Sequence, residues 1–315
     1  MVGDAMVKRL QKESCDVIVI EKNFLDLTRQ ADVEEWMVLK RPQVVVLAAA
    51  RVGGIHANNT YPVEFLRDNL LIAINVIDTA HKIGVEKLLF LGSSCVYPRN
   101  ANQPITEDLL MTGSLEPTNE WYAIAKIAGL KLGQAYHRQH GCDFISVMPT
   151  NLYGPEDNFH PMTSHVPAAL IRRFDDAKQA KDPAVSVWGT GTPRREFLYV
   201  EDMADACIYV LRYYSESGAI NIGTGEDISI CDFAGLVKEV VGFKGQICFD
   251  KTKPDGVSLK RLDVSNLSSL GWEARISLQE GLERTYDWYR RAKGNGSLRE
   301  REIESQTGFI ENNPL

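Results

Sequence analysis

Lys87-Leu88-Leu89-Phe90-Leu91-Gly92-Ser93-Ser94-Cys95 begins as an apolar run and stops abruptly in small and polar residues. Such a run reads as a buried strand whose carboxyl end feeds a turn, the place where open α/β sheets build their sites. Residues 16–20, 43–47 and 143–147 are comparable runs, and helical patterns near 33–40, 62–83 and 119–140 lie between them. The alternation predicts βαβ units on a parallel sheet. Because the strands are apolar throughout, helices are expected on both faces. The expected fold class is α/β, a doubly wound parallel sheet of the nucleotide-binding kind.

After about Pro149 the rhythm changes, with Pro and Gly punctuating shorter elements: Asn151-Leu152-Tyr153-Gly154-Pro155, Trp188-Gly189-Thr190-Gly191-Thr192-Pro193 and Lys253-Pro254-Asp255-Gly256. The expected division is a nucleotide-binding domain over 1–150 and a mainly substrate-binding region over 151–293 that returns some elements to the first domain. Residues 294–315 read as a flexible tail.

The 315 residues carry a formal net charge of -7. That balance argues against a nucleic-acid footprint, which needs an excess of Lys and Arg. The longest apolar run, residues 44–50, falls far short of the roughly 20 residues that span a bilayer. Neither a membrane partner nor a secretory leader is expected. Six cysteines without a C-x-x-C pair disfavour disulfides and a thiolate metal site, so no metal is expected and a cytoplasmic location is.

Tyr122-Ala123-Ile124-Ala125-Lys126 sets a phenol and an ammonium four residues apart, on one face of a helix. The expectation is that the Lys126 charge lowers the Tyr122 pKa and makes the phenol a proton donor and acceptor. An isolated Y-x-x-x-K more often marks an amphipathic helix with an exposed lysine. Ser93 alone would be read as a turn residue. Together, a serine at a strand end and a tyrosine–lysine helix downstream outweigh both bland readings.

These residues match the Ser-Tyr-Lys set of the extended short-chain dehydrogenase/reductase family, which the chain resembles. The resemblance narrows to the GDP-L-fucose synthases. It is carried by Ala48-Ala49-Ala50-Arg51-Val52-Gly53-Gly54-Ile55, Phe90-Leu91-Gly92-Ser93-Ser94-Cys95-Val96-Tyr97-Pro98, Leu115-Glu116-Pro117-Thr118-Asn119-Glu120, Pro149-Thr150-Asn151-Leu152-Tyr153-Gly154-Pro155 and Asp157-Asn158-Phe159-His160-Pro161. What the resemblance implies is a Rossmann domain, NADP(H) as cofactor, a GDP-sugar as partner and a homodimer. The implied reaction epimerises C3 and C5 of GDP-4-keto-6-deoxy-D-mannose and reduces C4.

By the same resemblance Cys95 and His165 are the ring base and acid, although a cysteine past a strand is commonly a small buried hydrophobe and a lone histidine commonly structural. Cofactor contacts are implied for Gly3, Lys22, Asp26, Leu27, Ala48, Ala49, Ala50, Lys126, Pro149, Thr150, Asn151, Leu152 and His165. Substrate contacts are implied for Arg173, Trp188, Arg195 and Asp255. Glu21 beside Lys22 is of the type that accepts from a free ribose hydroxyl, which keeps NAD(H) open.

The chain departs from the family at Met1-Val2-Gly3, which matches only the last part of a G-x-x-G-x-x-G turn. Gly3 is expected to permit close helix-to-strand packing, and two neighbouring strand edges are expected to be exposed. Two readings follow: a start assigned too far downstream in a complete enzyme, or a truncated, inactive homologue that still binds sugar nucleotide or a sister subunit. A non-redox sugar-nucleotide epimerase of the same family is the runner-up activity.

Overall fold

The computed structural model describes residues 1–253 and 255–300. In chain order the first half contains α1 (Val2–Leu10), α2 (Gln30–Lys40), β1 (Val44–Leu47), α3 (Ile55–Thr60), α4 (Pro62–Ile83), β2 (Lys87–Leu91), α5 (Glu120–His140), β3 (Asp143–Pro149) and β4 (Asn151–Tyr153). The second contains α6 (Val166–Ala180), β5 (Ala184–Trp188), β6 (Arg194–Arg195), β7 (Phe197–Tyr199), α7 (Val200–Tyr213), β8 (Ala219–Ile222), β9 (Ile228–Ser229), α8 (Ile230–Val241), β10 (Gln246–Asp250), β11 (Leu259–Lys260), α9 (Ser265–Ser269) and α10 (Leu278–Gly294).

The main sheet is parallel, in the order β1-β2-β3-β8. Alternation along β2 sorts its side chains to two cores. Leu88 and Phe90 enter the one built with Ile77 of α4 and Leu130 of α5, while Leu89 and Leu91 enter the one built with Ala5 and Met6 of α1 and Met203 of α7. Helices thus cover both faces, which is why the strands carry no polar side. A third core around Tyr153, Phe159, Phe174 and Phe233 belongs to the C-terminal region, whose short strands form three small sheets.

The run at 16–20 forms no strand, and Ile18 and Val19 are 51% and 58% exposed. A strand is stabilised by its neighbours, and among the described residues none pairs with this one. The outer edge of β1 likewise carries no partner strand among the described residues, and Val44 is 50% exposed. The close approach expected at Gly3 is absent: a Cβ there would meet nothing within 4 Å.

Residues 294–300 are tied down, contrary to the expected tail. Leu298 packs against the third core, Phe159 N donates to the Arg299 carbonyl at 2.9 Å, and Arg172 pairs with Glu300. The remainder of the expected tail, 301–315, lies outside the described residues.

Candidate active site

The site is built at the carboxyl end of β2. Ser93 caps a short 3-10 turn, Ser94–Val96, its Oγ accepting from Cys95 N at 3.2 Å, so serine and cysteine are locked in one local frame. The sulfur in turn lies 3.4 Å from Asn119 Nδ2 and 3.8 Å from Lys260 Nζ.

Helix α5 brings Tyr122 and Lys126 against this strand end. Gly129 permits the approach: a Cβ there would sit 2.5 Å from the Phe90 ring and 3.1 Å from Ala73 Cβ. Lys126 is 4% exposed and donates to the Leu91 carbonyl at 2.6 Å. Its ammonium stands 5.7 Å from the Tyr122 ring centroid. Burial lowers its pKa to about 8.

Burial also raises the Tyr122 pKa, the neighbouring Cys95 adds to the rise, and a hydrogen bond with Ser93 opposes it. The expected depression of the phenol by Lys126 is therefore not what the geometry produces. Desolvation dominates at both groups, and the lysine spends one of its three N–H donors on a backbone carbonyl.

The other expected residues come from separate elements. His165 is exposed and precedes the first turn of α6, in a loop that approaches the turn after β1, where Gly54 N donates to the Thr163 carbonyl at 3.3 Å. Ala48, Ala49 and Ala50 lead into that turn, which is fixed to α4 by Arg51 N donating to Asn69 Oδ1 at 2.8 Å and by the Arg51–Asp68 ion pair at 2.8 Å. Pro149 ends β3, and Leu152 follows within β4. Thr150 and Asn151 donate to the Glu196 carbonyl at 3.3 Å and 2.8 Å. The Glu196 side chain is fully buried and accepts from the backbone N–H groups of Thr224, Gly225 and Leu262 at 2.6, 3.0 and 2.8 Å. It ties two loops to the segment that carries it.

Lys22 is exposed, Asp26 accepts from Thr28 N at 3.0 Å, and the Leu27 carbonyl accepts from Asn75 Nδ2 at 2.9 Å. Gly3 lies in the first turn of α1.

A second cluster surrounds Trp188, which is 51% exposed at the end of β5 and has Arg173 and Lys253 each 5.5 Å from its ring. Burial lowers the pKa of Arg173 and of Arg195. Neither forms an ion pair among the described residues; each donates to a backbone carbonyl, of Ser186 and Arg194 respectively. Asp255 partly offsets that burial at Arg195, and partly desolvated guanidinium groups that close no ion pair suit an anionic ligand. Asp255 accepts from Thr190 N at 2.6 Å and Thr190 Oγ1 at 2.8 Å, so its carboxylate shapes the loop that follows Trp188.

Sequence reasoning missed Asn119, Lys260 and Lys253. Asn119 stood inside a quoted stretch without a role, whereas Lys260 is 165 positions from Cys95 and gave no local signal.

Comparison with known proteins agrees with this architecture. The NAD dependent epimerase/dehydratase family profile matches residues 1–223, and the chain belongs to that family. Within it the similarity is to the GDP-L-fucose synthases. The chain is 58% identical over 290 residues to GDP-L-fucose synthase 1 of Arabidopsis thaliana, covering 92% of this chain and 90% of the relative. It is 50% identical over 299 residues to GDP-L-fucose synthase of Escherichia coli K12, covering 92% and 93%. The fold matches the crystal structure of a GDP-L-fucose synthetase from Naegleria fowleri bound to NADP with a TM-score of 0.86, at 27% identity and 94% and 92% coverage.

Proposed function

We propose that this protein makes GDP-L-fucose from GDP-4-keto-6-deoxy-D-mannose, epimerising C3 and C5 and reducing C4 with NADPH. The observation that carries the reading is the convergence of Ser93, Cys95, Tyr122 and Lys126 at the end of β2, in a chain similar along most of its length to GDP-L-fucose synthases. A 4-epimerase has no use for a ring base such as Cys95 beside the serine–tyrosine pair.

The chemistry follows from position. C3 and C5 flank the C4 ketone, so removing either proton gives an enolate whose oxygen Ser93 and Tyr122 stabilise. Cys95 takes the proton, and His165 returns one to the other face of the ring. Tyr122 then protonates the C4 oxygen as the ketone is reduced. NADPH supplies the hydride. The site suits its nicotinamide end, because Lys126 has donors left after its bond to Leu91 and stands beside the Tyr122 ring, a set suited to ribose hydroxyls.

In this reading residues 1–150 bind NADP(H), with Gly3, Lys22, Asp26, Leu27, Ala48–Ala50 and Pro149–Leu152 as contacts. Region 151–293 holds the GDP moiety through Arg173, Trp188 and Arg195, with Asp255 as a further contact. The enzyme acts in the cytoplasm as a homodimer. Val63 and Ile74 of α4 and Trp121 and Ile124 of α5 are exposed apolar residues that such a dimer would cover.

The test is turnover of GDP-4-keto-6-deoxy-D-mannose with NADPH in deuterated water. GDP-L-fucose carrying deuterium at C3 and C5 is expected. Oxidation of NADPH without deuterium at those carbons would reduce the protein to a simple ketone reductase.

A further inference from the structure

Cys95, as the proton acceptor of the proposed reaction, must present a thiolate, because a neutral thiol is a poor base. Its backbone N–H is spent on Ser93 Oγ, so the sulfur relies on other groups. Two donors face it. Asn119 Nδ2 approaches at 3.4 Å from the start of α5, and Lys260 Nζ at 3.8 Å from β11. Tyr122 also interacts with it, and when ionised it opposes a second negative charge.

The two donors come from different elements. Asn119 immediately precedes α5, the helix that carries Tyr122 and Lys126, so its amide keeps register with them. Lys260 sits beside Arg195 in the parallel pairing of β11 with β6, and Leu262 N, two residues on, is fixed by buried Glu196. Asn119 Oδ1 is buried and has no hydrogen-bond partner among the described residues. With Nδ2 turned to sulfur, that oxygen is left for a hydroxyl donor on a bound sugar.

We infer that Lys260 and Asn119 are positioning residues that hold Cys95 as the thiolate for the epimerisation half of the reaction. The step is balanced. The thiolate takes the proton from C3 or C5, the C–H bonding pair becomes the enolate, and the Lys260 charge that faced the sulfur is left to face the developing anion. The inference rests on the reading of Cys95 as the ring base, but the thiolate itself can be tested without substrate.

The experiment measures the rate at which iodoacetamide alkylates Cys95 at neutral pH, read by mass spectrometry of its peptide in the full-length protein. Lys260→Gln is expected to slow it about tenfold, the effect of roughly 1.4 kcal/mol lost by the thiolate. Asn119→Ala is expected to slow it about threefold, and Lys260→Arg to keep most of the parent rate. Deuterium incorporation at C3 and C5 should fall in the same order relative to reduction of a pre-epimerised 4-keto sugar. Parent-like alkylation in Lys260→Gln, or equal slowing in Lys260→Arg, would overturn the inference, the latter because shape rather than charge would then be at work. Should Lys260→Gln fail to fold, Asn119→Asp decides: an isosteric carboxylate must slow alkylation below the Asn119→Ala rate. Undiminished deuterium incorporation in Cys95→Ser would instead remove the ring-base reading, while the alkylation rates still decide the thiolate.

Discussion

The carboxyl end of β2 and the N-terminal 47 residues carry similar apolar strand signals and meet different fates. At β2 the run 87–91 is paired on both sides and covered on both faces, and its end holds four of the expected site residues within one frame. At 16–20 the same kind of run stays unpaired and exposed, and β1 keeps one edge open among the described residues. Strand character in a sequence is thus a capacity for pairing, realised only where a neighbour is present. Site geometry inherits that condition, and Ser93, Cys95, Tyr122 and Lys126 gather where β2 is paired and covered.

The contrast can be broken by mutation. Leu88→Ala, at a site with no exposed area, is expected to destabilise the protein by about 2–5 kcal/mol, whereas Val44→Ala on the open edge should stay within about 0.5 kcal/mol. Urea unfolding of both variants checks it, and a Val44→Ala cost as large as that of Leu88→Ala would mean that the β1 edge is covered.

A pH series sharpens the comparison at Lys126. Its folded pKa of about 8 lies below the ordinary 10.5, so between these values the unfolded chain binds the extra proton and stability rises with pH. The penalty is full below about 8 and gone above 10.5, with a size on the order of 3 kcal/mol. Lys126→Met should flatten the rise in thermal melting across that window. A profile parallel to the parent's would show that the ammonium is solvated.

Glu196 tests how the C-terminal region is held to the sheet. Glu196→Gln replaces one carboxylate oxygen with an N–H₂ group, which cannot accept from the backbone amides that the side chain now satisfies. The expected cost is about 1–3 kcal/mol, measured by denaturant unfolding.

Much of this was legible in the sequence because it is local. The expected helix over 62–83 matches α4 residue for residue, and the expected strand over 87–91 matches β2, since Pro62 opens and Gly84 closes the helix and Gly92 ends the apolar run of the strand. The Ser93, Tyr122 and Lys126 spacings carried the site for the same reason. What escaped was electrostatic or long-range. No pattern near Tyr122 announces that burial raises its pKa, and none near Cys95 announces a lysine from β11. The misread run at 16–20 belongs with these, because pairing is decided by a partner and not by the strand itself.

The central claim is that one oxygen pocket, Ser93 with Tyr122, serves both enolate formation and reduction. Tyr122→Phe removes only the hydroxyl and leaves the ring packed against Phe65, 6.5 Å between centroids. The measurement is kcat for GDP-4-keto-6-deoxy-D-mannose reduction beside calorimetric Kd for GDP-sugar. The account predicts a fall in kcat of about 10²–10⁴-fold with Kd nearly unchanged. Parent-like turnover in Tyr122→Phe would contradict it.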